Sequence, residues 1–276
     1  MDPANATLHY SIECFEGLKA FKTPDGNINM FRCDKNFMRM NSSHRALGLP
    51  EFEGKEMIEC LKELLKIDAD WIPDKPLHSM YIRPSGIAMD STIGLSSVRK
   101  AKAFILLSPV GPYYPRGFVP VNLLCDEKII RAWPKGFGDK KLGGNYAPGI
   151  RTGRLAVQDH GCDQVLWLLH DYVTEVGTMN FFTFWKNEKG EDEVLTPPLD
   201  GTILPGVTRD SILSLCKEMK RFKVTERMIK IQELAEAIDQ KRVSSTIYIQ
   251  VYEAFGCGTA AIVSPVASLK WHGKKY

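Results

Sequence analysis

The chain has 276 residues, 44% of them hydrophobic and 25% charged, which is the composition of a globular protein long enough for two modest domains. The formal net charge is only +3 and the basic residues are scattered, so we expect no nucleic-acid partner. No apolar run reaches the roughly 18 residues of a membrane span, and no signal core or arginine-rich leader opens the chain, so we expect an intracellular protein without a membrane partner.

The first part of the chain predicts a mixture of strands and helices. "DGNINMF" is typical of a hairpin turn, and Asp34 is predicted to cap a helix that leaves Arg39 exposed. A second helix is expected after Gly54, and the strands "SMYIRP" and "KAFILLSPVG" follow. The apolar stripes of the two helices are Phe37, Met40, His44 and Leu47, and then Met57, Ile58, Leu61, Leu64 and Leu65.

Prolines and glycines cluster in "SPVGPYYPRGFVPV", which indicates an interdomain connection. Beyond it we expect the strand "VNLLC", a helix near "GIRTGRLAVQDHG", the strands "QVLWLL" and "NFFTFW", and helices after "ILPGV" and around "IQELAEAI". The predicted fold class is α+β, with a small domain at 1–110, the connection at 111–120 and a large domain at 121–276.

The seven cysteines are odd in number and form no C-x-x-C pair. The sequence therefore predicts neither a disulfide framework nor a zinc site, and we expect buried, reduced thiols and no metal.

A first chemical signal is the stretch "KKLGGNYAP". Its glycines allow the backbone to approach a ligand closely, and an amine and the Tyr146 phenol flank them. A second signal is Glu175, in "LHDYVTEVGTMNFFTFW", where a tight turn near Asp171 joins two β-rich runs. Apolar neighbours would bury this carboxylate, which would then need a partner, although a solvent-facing strand glutamate is the alternative.

Two segments could bind anions. "TILPGVTRDSIL" would point the first amides of a helix, those of Val207, Thr208 and Arg209, toward one place, with simple helix capping as the alternative. "FGCGTAA" forms a sharp turn that offers amides and the Thr259 hydroxyl. An amine, a buried carboxylate, an anion seat and a nearby tyrosine together match the requirements of pyridoxal phosphate.

The segments "KLGGNYAP", "TEVGTMNFF", "ILPGVTR" and "FGCGTA" resemble those of fold-type-IV pyridoxal phosphate enzymes, whose fold is D-amino-acid aminotransferase-like. The resemblance is specifically to the eukaryotic branched-chain amino-acid aminotransferases. It extends over nearly the whole chain, including "LHYSIECFEGLKAF", "IRAWPKGFGDKKLGGNY" and "TPPLDGTILPGVTR". It also implies that parts of the family fold at the N- and C-terminal ends are missing here.

The resemblance implies a role for each matching residue. Lys141 would be the catalytic lysine that binds the cofactor covalently, with Lys140 solvated. Tyr146 would contact the ring oxygen and Glu175 the ring nitrogen. The phosphate would be held by Arg39, Val207, Thr208 and Thr259.

The resemblance also implies a substrate site. Arg83 would face the side-chain carboxylate of glutamate, and Thr178 and Ala260 would hold the α-carboxylate. Ile93 and Leu95 would reach the pocket of a neighbouring subunit in a homodimer. An aromatic wall would be formed by Tyr10, Phe15, Tyr81 and Tyr113.

The implied function is ping-pong transfer of an amino group between leucine, isoleucine or valine and 2-oxoglutarate. The small-molecule substrates would be branched-chain amino acids, glutamate and their 2-oxo acids. The expected compartment is the cytoplasm, with mitochondria as the alternative.

Two alternatives compete with this function. "GCGTAA" matches the dinucleotide pattern G-x-G-x-x-A after a β-rich run, which would indicate a nicotinamide-dependent oxidoreductase. A proline follows where that motif requires a helix, which argues against this alternative. The other alternative is a truncated, non-catalytic member of the aminotransferase family.

Two departures from the family concern the end of the chain. Ser244 to Tyr252, "SSTIYIQVY", looks inserted, and its alternation predicts a strand that pairs outside the active site. Where human-type members carry a redox-sensitive C-x-x-C, this chain reads "AIVS" from Ala261 to Ser264, so we expect no disulfide switch there.

Overall fold

The structure is a computed structural model that describes residues 1–114, 117, 119–240 and 250–276. The chain forms two compact units, one of Met1–Pro115 with Lys140–Ala147 and one of Arg116–Asp139 with Pro148–Tyr276. Sequence reasoning assigned Lys140–Ala147 to the second domain. The segment belongs to the first unit because Leu142 forms a β-bridge with Cys14 and the Phe15 N–H donates to the Lys141 carbonyl at 3.0 Å.

The first unit contains an antiparallel five-stranded sheet. The long strand β4 pairs with β5 and also with β1 and β2, and β2 pairs in turn with β3 as the predicted hairpin. The elements of this unit are α1 (Ala6–Tyr10), β1 (Glu13–Phe15), β2 (Leu18–Lys22), β3 (Ile28–Met30), α2 (Cys33–Leu47), α3 (Gly54–Ile67), β4 (Ser79–Ala88) and β5 (Ala101–Val110).

Helices α2 and α3 form the core of this unit together with the sheet. Phe37, Met40 and Leu61 are at most 1% exposed and belong to one cluster with strand residues such as Leu18 and Ile82, which confirms both predicted apolar stripes.

The predicted Asp34 cap is wrong. Helix α2 begins at Cys33 after Arg32, whose φ is 48° and whose side chain makes no capping hydrogen bond. Asp34 lies in the first turn, where its negative charge interacts favourably with the helix dipole.

The second unit contains a nine-stranded sheet in which six strands close into a ring, in the order β9-β12-β13-β6-β7-β8, with β8 pairing back to β9. β13, β6 and β7 run parallel to one another, and the other ring pairs are antiparallel. The strands are β6 (Val121–Asp126), β7 (Gln164–Leu169), β8 (Tyr172–Val176), β9 (Met179–Lys186), β10 (Asp192–Thr196), β11 (Lys223–Glu226), β12 (Gln250–Gly258), β13 (Ile262–Trp271) and β14 (Lys274–Lys275). The helices are α4 (Ile150–His160), α5 (Val207–Met219) and α6 (Ile231–Gln240).

Most of the predicted strand from Ser244 to Tyr252 lies outside the described residues. Its described end starts β12, where Val251 is opposite Trp185 of β9 and is 8% exposed. The register shifts between Val251 and Glu253, and Tyr252 is 39% exposed. The alternation therefore holds at this end.

After Gly258 the chain turns back as an antiparallel hairpin, with Gly258 opposite Ile262. A dinucleotide fingerprint needs a helix at this point, so the oxidoreductase alternative fails on local structure. Among the helices in the described ranges, none combines the length and the apolar character that crossing a bilayer requires.

Candidate active site

The Lys141 amine lies in an aromatic cluster of the first unit. Its Nζ is 3.2 Å from the Tyr146 hydroxyl oxygen and 4.9 Å from the centre of the Phe15 ring. The Phe15 and Tyr146 rings are themselves 5.0 Å apart at 56°. The Lys141 N–H donates to Ser43 Oγ of α2 at 3.0 Å. Backbone contacts on both sides thus hold the lysine at the edge of the first sheet.

Arg83 lies on the same Phe15 ring as Lys141. Its guanidinium carbon is 4.6 Å from the Phe15 centroid and 5.2 Å from that of Tyr81, and Nη2 donates to the Tyr81 hydroxyl at 3.2 Å. The Arg83 Nε is buried without a hydrogen-bond partner. A buried donor of this kind costs free energy unless a ligand or water satisfies it, so the cluster offers an anion-binding group.

A glycine allows Tyr81 to take this position. A Cβ on Gly17 would come 2.1 Å from the Tyr81 hydroxyl oxygen, far inside contact distance. The predicted residues Lys141, Tyr146, Phe15, Tyr81 and Arg83 are therefore together in one cluster.

Arg39 is only 9% exposed, so the predicted exposed position on α2 is wrong. Its Nε and Nη2 donate to the two carboxylate oxygens of Glu16 at 2.7 and 2.8 Å, and Glu16 is fully buried. Asn36 and the Gly17 amide also donate to Glu16. A bidentate pair with these added bonds explains the burial of both charges.

Glu175 is 2% exposed on β8, so the predicted burial of this carboxylate is correct. Oε2 accepts from Arg131 at 3.0 Å, and Oε1 accepts from the Leu204 amide at 2.7 Å and from Asn180 at 3.2 Å. These donors stabilise the charged form of the carboxylate against its desolvation.

The predicted anion seat lies at the start of α5. The N-cap residue is Gly206, so no N-cap side chain occupies the amides of the first turn, which include those of Val207 and Thr208. Val207 is 8% exposed and Thr208 is half-buried.

Two hairpin turns lie side by side in the second unit. Asn180 pairs with both Glu175 and Cys257, so the β8–β9 turn with Thr178 and the β12–β13 turn with Thr259 and Ala260 are at the same edge of the ring. The backbone at Thr178 is 3.9 Å from a Cβ built on Gly258. The two α-carboxylate residues predicted from the sequence are thus neighbours.

The other predicted wall residues lie elsewhere in the first unit. The Tyr10 hydroxyl contacts the Ile93 carbonyl, and Tyr113 packs edge-on against Tyr114 with ring centres 4.8 Å apart. Both tyrosines are exposed, by 39% and 43%. Their substrate role stays a prediction.

Sequence reasoning missed four residues that hold this machinery, namely Glu16, Ser43, Arg131 and Asn180. Three of them stand inside quoted motifs, Glu16 in "CFEGLKAF", Arg131 in "IRAWPKG" and Asn180 in "TEVGTMNFF". The requirement that a buried charge has a partner could have identified Arg131 and Glu16.

The family model described as "Amino-transferase class IV" matches residues 13–269. The chain is 50% identical over 275 residues to the branched-chain-amino-acid aminotransferase of Dictyostelium discoideum, covering 99% of this chain and 70% of that protein. It is 47% identical to the cytosolic branched-chain-amino-acid aminotransferase of Caenorhabditis elegans, covering 99% of this chain and 64% of that protein. The chain thus spans about two thirds of the length of these relatives.

Solved structures show the same fold. The branched-chain amino acid aminotransferase of Escherichia coli superposes with a TM-score of 0.74 at 24% identity, covering 96% of this chain and 79% of that one. The branched-chain amino acid aminotransferase of Thermobaculum terrenum, solved in its PLP form, gives a TM-score of 0.76 at 20% identity, covering 99% and 81%. The predicted α+β, fold-type-IV class is confirmed.

Proposed function

Because this chain belongs to the class IV aminotransferase family, we propose that it is a pyridoxal-phosphate-dependent branched-chain aminotransferase. It exchanges an amino group between leucine, isoleucine or valine and 2-oxoglutarate. The observation that carries the proposal is the Lys141 amine beside Tyr146, on a Phe15 ring that also carries Arg83.

The donor set fits pyridoxal phosphate. Within the first unit, the amine that would take the aldehyde lies 3.2 Å from a phenol oxygen. Within the second unit there are a buried carboxylate and helix amides that no N-cap side chain occupies. When bound, pyridoxal phosphate withdraws electrons from the substrate Cα and makes its proton acidic.

Lys141 has two tasks in the reaction. Its Nζ would hold the cofactor aldehyde, and the same amine, when free, would move the proton at Cα of the substrate. The Tyr146 hydroxyl holds the ring oxygen, and the Phe15 ring limits the access of water to the amine. The Phe15 ring, 4.9 Å from Nζ, thereby helps to keep the amine oriented between these tasks.

In the second unit, Glu175 holds the proton at the ring nitrogen, because Arg131 and the Leu204 amide keep its carboxylate charged. The amides of Val207 and Thr208 would bind the phosphate, with Thr259 as a further ligand. Arg39 of the first unit stays a predicted phosphate ligand.

The substrate residues explain dual recognition. Phe15 and Tyr81 present apolar surface to a branched side chain, while the unpaired Nε of Arg83 binds the side-chain carboxylate of glutamate. Thr178 and Ala260 bind the carboxylate that all substrates share. An enzyme with these residues would accept apolar and acidic substrates in turn.

The test is a transamination assay of the purified chain with leucine, isoleucine or valine and 2-oxoglutarate. We expect turnover. We also expect that borohydride reduces the linkage between cofactor and lysine to a stable adduct, which mass spectrometry maps to Lys141. Lys141→Ala should lose both, whereas the control Lys140→Ala should keep both. Absence of turnover and of adduct in the wild-type chain would reject the proposal in favour of the non-catalytic alternative.

We propose a homodimer in the cytoplasm, with mitochondria as the competing compartment. Ile93 and Leu95 are 67% and 74% exposed, as residues that reach a neighbouring subunit would be in an isolated chain. Light scattering should give twice the mass of the 31.1 kDa chain. Cell fractionation distinguishes the two compartments.

A further inference from the structure

Asn180 of β9 lies between Glu175 and the segment that leads into α5. Its Nδ2 donates to Glu175 Oε1 at 3.2 Å and to the Leu204 carbonyl at 2.8 Å. The Leu204 N–H donates to the same Glu175 oxygen at 2.7 Å. The carboxylate, the amide and the Leu204 peptide thus form a closed set of hydrogen bonds.

Burial favours this one arrangement of hydrogen bonds over alternatives that involve water or a flipped amide. Asn180 is 4% exposed, Glu175 2% and Leu204 8%, so water does not replace these bonds readily. The two N–H groups of the Asn180 amide match two acceptors, whereas a flipped amide would place its oxygen against both.

The same amide lies against the N-cap of α5. A Cβ on Gly206 would come 2.1 Å from Asn180 Oδ1, so the amide packs directly on the backbone that starts the helix. Arg131 adds a parallel connection, because it binds Glu175 through Nη2 and donates to the Thr202 carbonyl through Nη1 at 3.3 Å.

We propose that Asn180 is a positioning residue that fixes the Glu175 carboxylate and the first amides of α5 in one common arrangement. The proposal rests on the proposed function, in which Glu175 binds the cofactor ring nitrogen and α5 binds the phosphate. Asn180 itself touches neither group and acts through Glu175 and Leu204.

Asn180→Asp keeps the shape of the side chain and removes its donors. The new carboxylate would face Glu175 Oε1 and the Leu204 carbonyl, so Glu175 and the segment before α5 must separate. Loss of two buried hydrogen bonds, with repulsion added, should weaken binding about tenfold or more at both places.

Three probes separate the two places in the full chain stripped of cofactor. Pyridoxamine reports on the ring site alone, inorganic phosphate reports on the helix amides alone, and pyridoxamine 5'-phosphate reports on both. The bound pyridoxamine 5'-phosphate also shows, by its absorbance, the pH at which the ring nitrogen loses its proton. In Asn180→Ser, which adds no negative charge near the ring, that pH should fall, because a less well positioned Glu175 carboxylate stabilises the ring proton less.

The matched control is Thr183→Val on the same strand. Thr183 is fully buried and its hydroxyl donates to the Glu253 carbonyl at 3.3 Å, away from Glu175. This variant should lower thermal stability slightly and keep the affinity for all three probes within about twofold of wild type. If Asn180→Asp does not fold, Asn180→Ser, which retains one donor, should give smaller changes in the same direction.

The outcomes are distinguishable. If wild type fails to bind pyridoxamine 5'-phosphate, the proposed function is wrong and this inference falls with it. If wild type binds but the Asn180 variants leave the ring-nitrogen pH and both affinities unchanged, only the role of Asn180 is wrong. Loss of pyridoxamine binding with unchanged phosphate binding would also overturn the proposal, because the two places would then be independent.

Discussion

Glu175 and Arg131 form an ion pair in which both side chains are almost fully buried, with Glu175 2% and Arg131 6% exposed. Glu175→Gln should keep some cofactor binding and lose more than about tenfold in rate, roughly 1.4 kcal/mol in the barrier, because a neutral amide no longer holds the ring nitrogen protonated. The variant should also be less stable by about 3–5 kcal/mol, because Arg131 would be left buried without its counter-charge.

Turnover rates and urea unfolding without cofactor measure the two effects. The exposed Glu188 supplies the control, since Glu188→Gln should change neither the rate nor the free energy of unfolding. A rate within about tenfold of wild type for Glu175→Gln would show that another group holds the ring nitrogen.

His44 predicts a pH dependence of stability in the first unit. Its Nδ1 lies 2.6 Å from the Pro50 carbonyl, and its Nε2 is buried without a partner. Burial lowers the pKa of His44 below its ordinary 6.5, partly offset by the Pro50 carbonyl. As the pH falls through 6.5, the unfolded chain therefore binds a proton at His44 before the folded chain does. The stability that neutral His44 contributes is complete above that pH and is lost as the pH falls toward the lower folded pKa.

His44→Gln keeps a donor for the Pro50 carbonyl and cannot titrate. Urea unfolding between about pH 8 and about pH 5, a range that spans the ordinary histidine value, should show a smaller loss of stability in this variant than in wild type. Parallel curves for the two proteins would contradict the assignment.

At the residue scale, the sequence identified side chains by type and neighbourhood but not their distant partners. The apolar run around Glu175 predicted its burial, yet Arg131 is 44 positions earlier in the chain. The same holds for Arg39, whose position off the apolar stripe of α2 suggested exposure, whereas the side chain is buried in an ion pair with Glu16. Pairs of this kind depend on the fold, which local patterns do not specify.

At the scale of elements, two glycines differ in the space that a Cβ would find around them. Gly86 lies in β4, where a Cβ would come 2.2 Å from the buried His44 Nε2. Gly86→Ala should destabilise the protein by about 1–3 kcal/mol, because neither the strand nor the ring can yield without strain.

Gly153 is the matched comparison within α4. Apart from its chain neighbours and the backbone of α4 itself, no atom of the described residues lies within 4 Å of a Cβ built there, and the residue is inside the helix. Gly153→Ala should therefore stabilise the protein by up to about 1 kcal/mol, because alanine has the higher helix propensity. Thermal unfolding of the two variants checks both signs, and destabilisation by Gly153→Ala would show an unseen neighbour.

The sequence predicted most of the helices and strands because their apolar periods are local. It missed α1, β1, β10, β11, β13 and β14. It also missed the pairing of β8 with β9 that closes the ring, since closure depends on contacts between distant segments. It also assigned Lys140–Ala147 to the wrong unit, because the strand bridge from Leu142 to Cys14 spans 128 positions of the sequence.

At the scale of the whole molecule, the cysteines are distributed by accessibility. Cys14, Cys125 and Cys257 are buried, and burial raises the pKa of each thiol to about 12. Cys60 on α3 is exposed. An alkylating reagent should therefore label Cys60 first in the folded protein and label the buried Cys14, Cys125, Cys162 and Cys257 only after unfolding.

Mild peroxide should not switch activity through a disulfide at residues 261–264, where Ala261 and Ser264 carry no thiol. Oxidation of Cys257 alone is also disfavoured. The thiolate is the reactive form, and the pKa of the Cys257 thiol, about 12, keeps the thiol protonated at neutral pH. Peptide mapping after treatment checks this, with Cys60→Ala as the control. A mapped intrachain disulfide that tracks activity would contradict the expectation.

The closed ring of strands has a consequence for how the chain is made. In the ring, Val121 of β6 pairs with Val266 of β13. The early strand β6 therefore cannot complete its pairing until the late strand β13 has been synthesised. During translation, β6 and β12 would each present an open edge to the surroundings until β13 leaves the ribosome. A nascent chain stalled before β13 should therefore depend on chaperones, whereas a chain released after β13 can cover both edges itself.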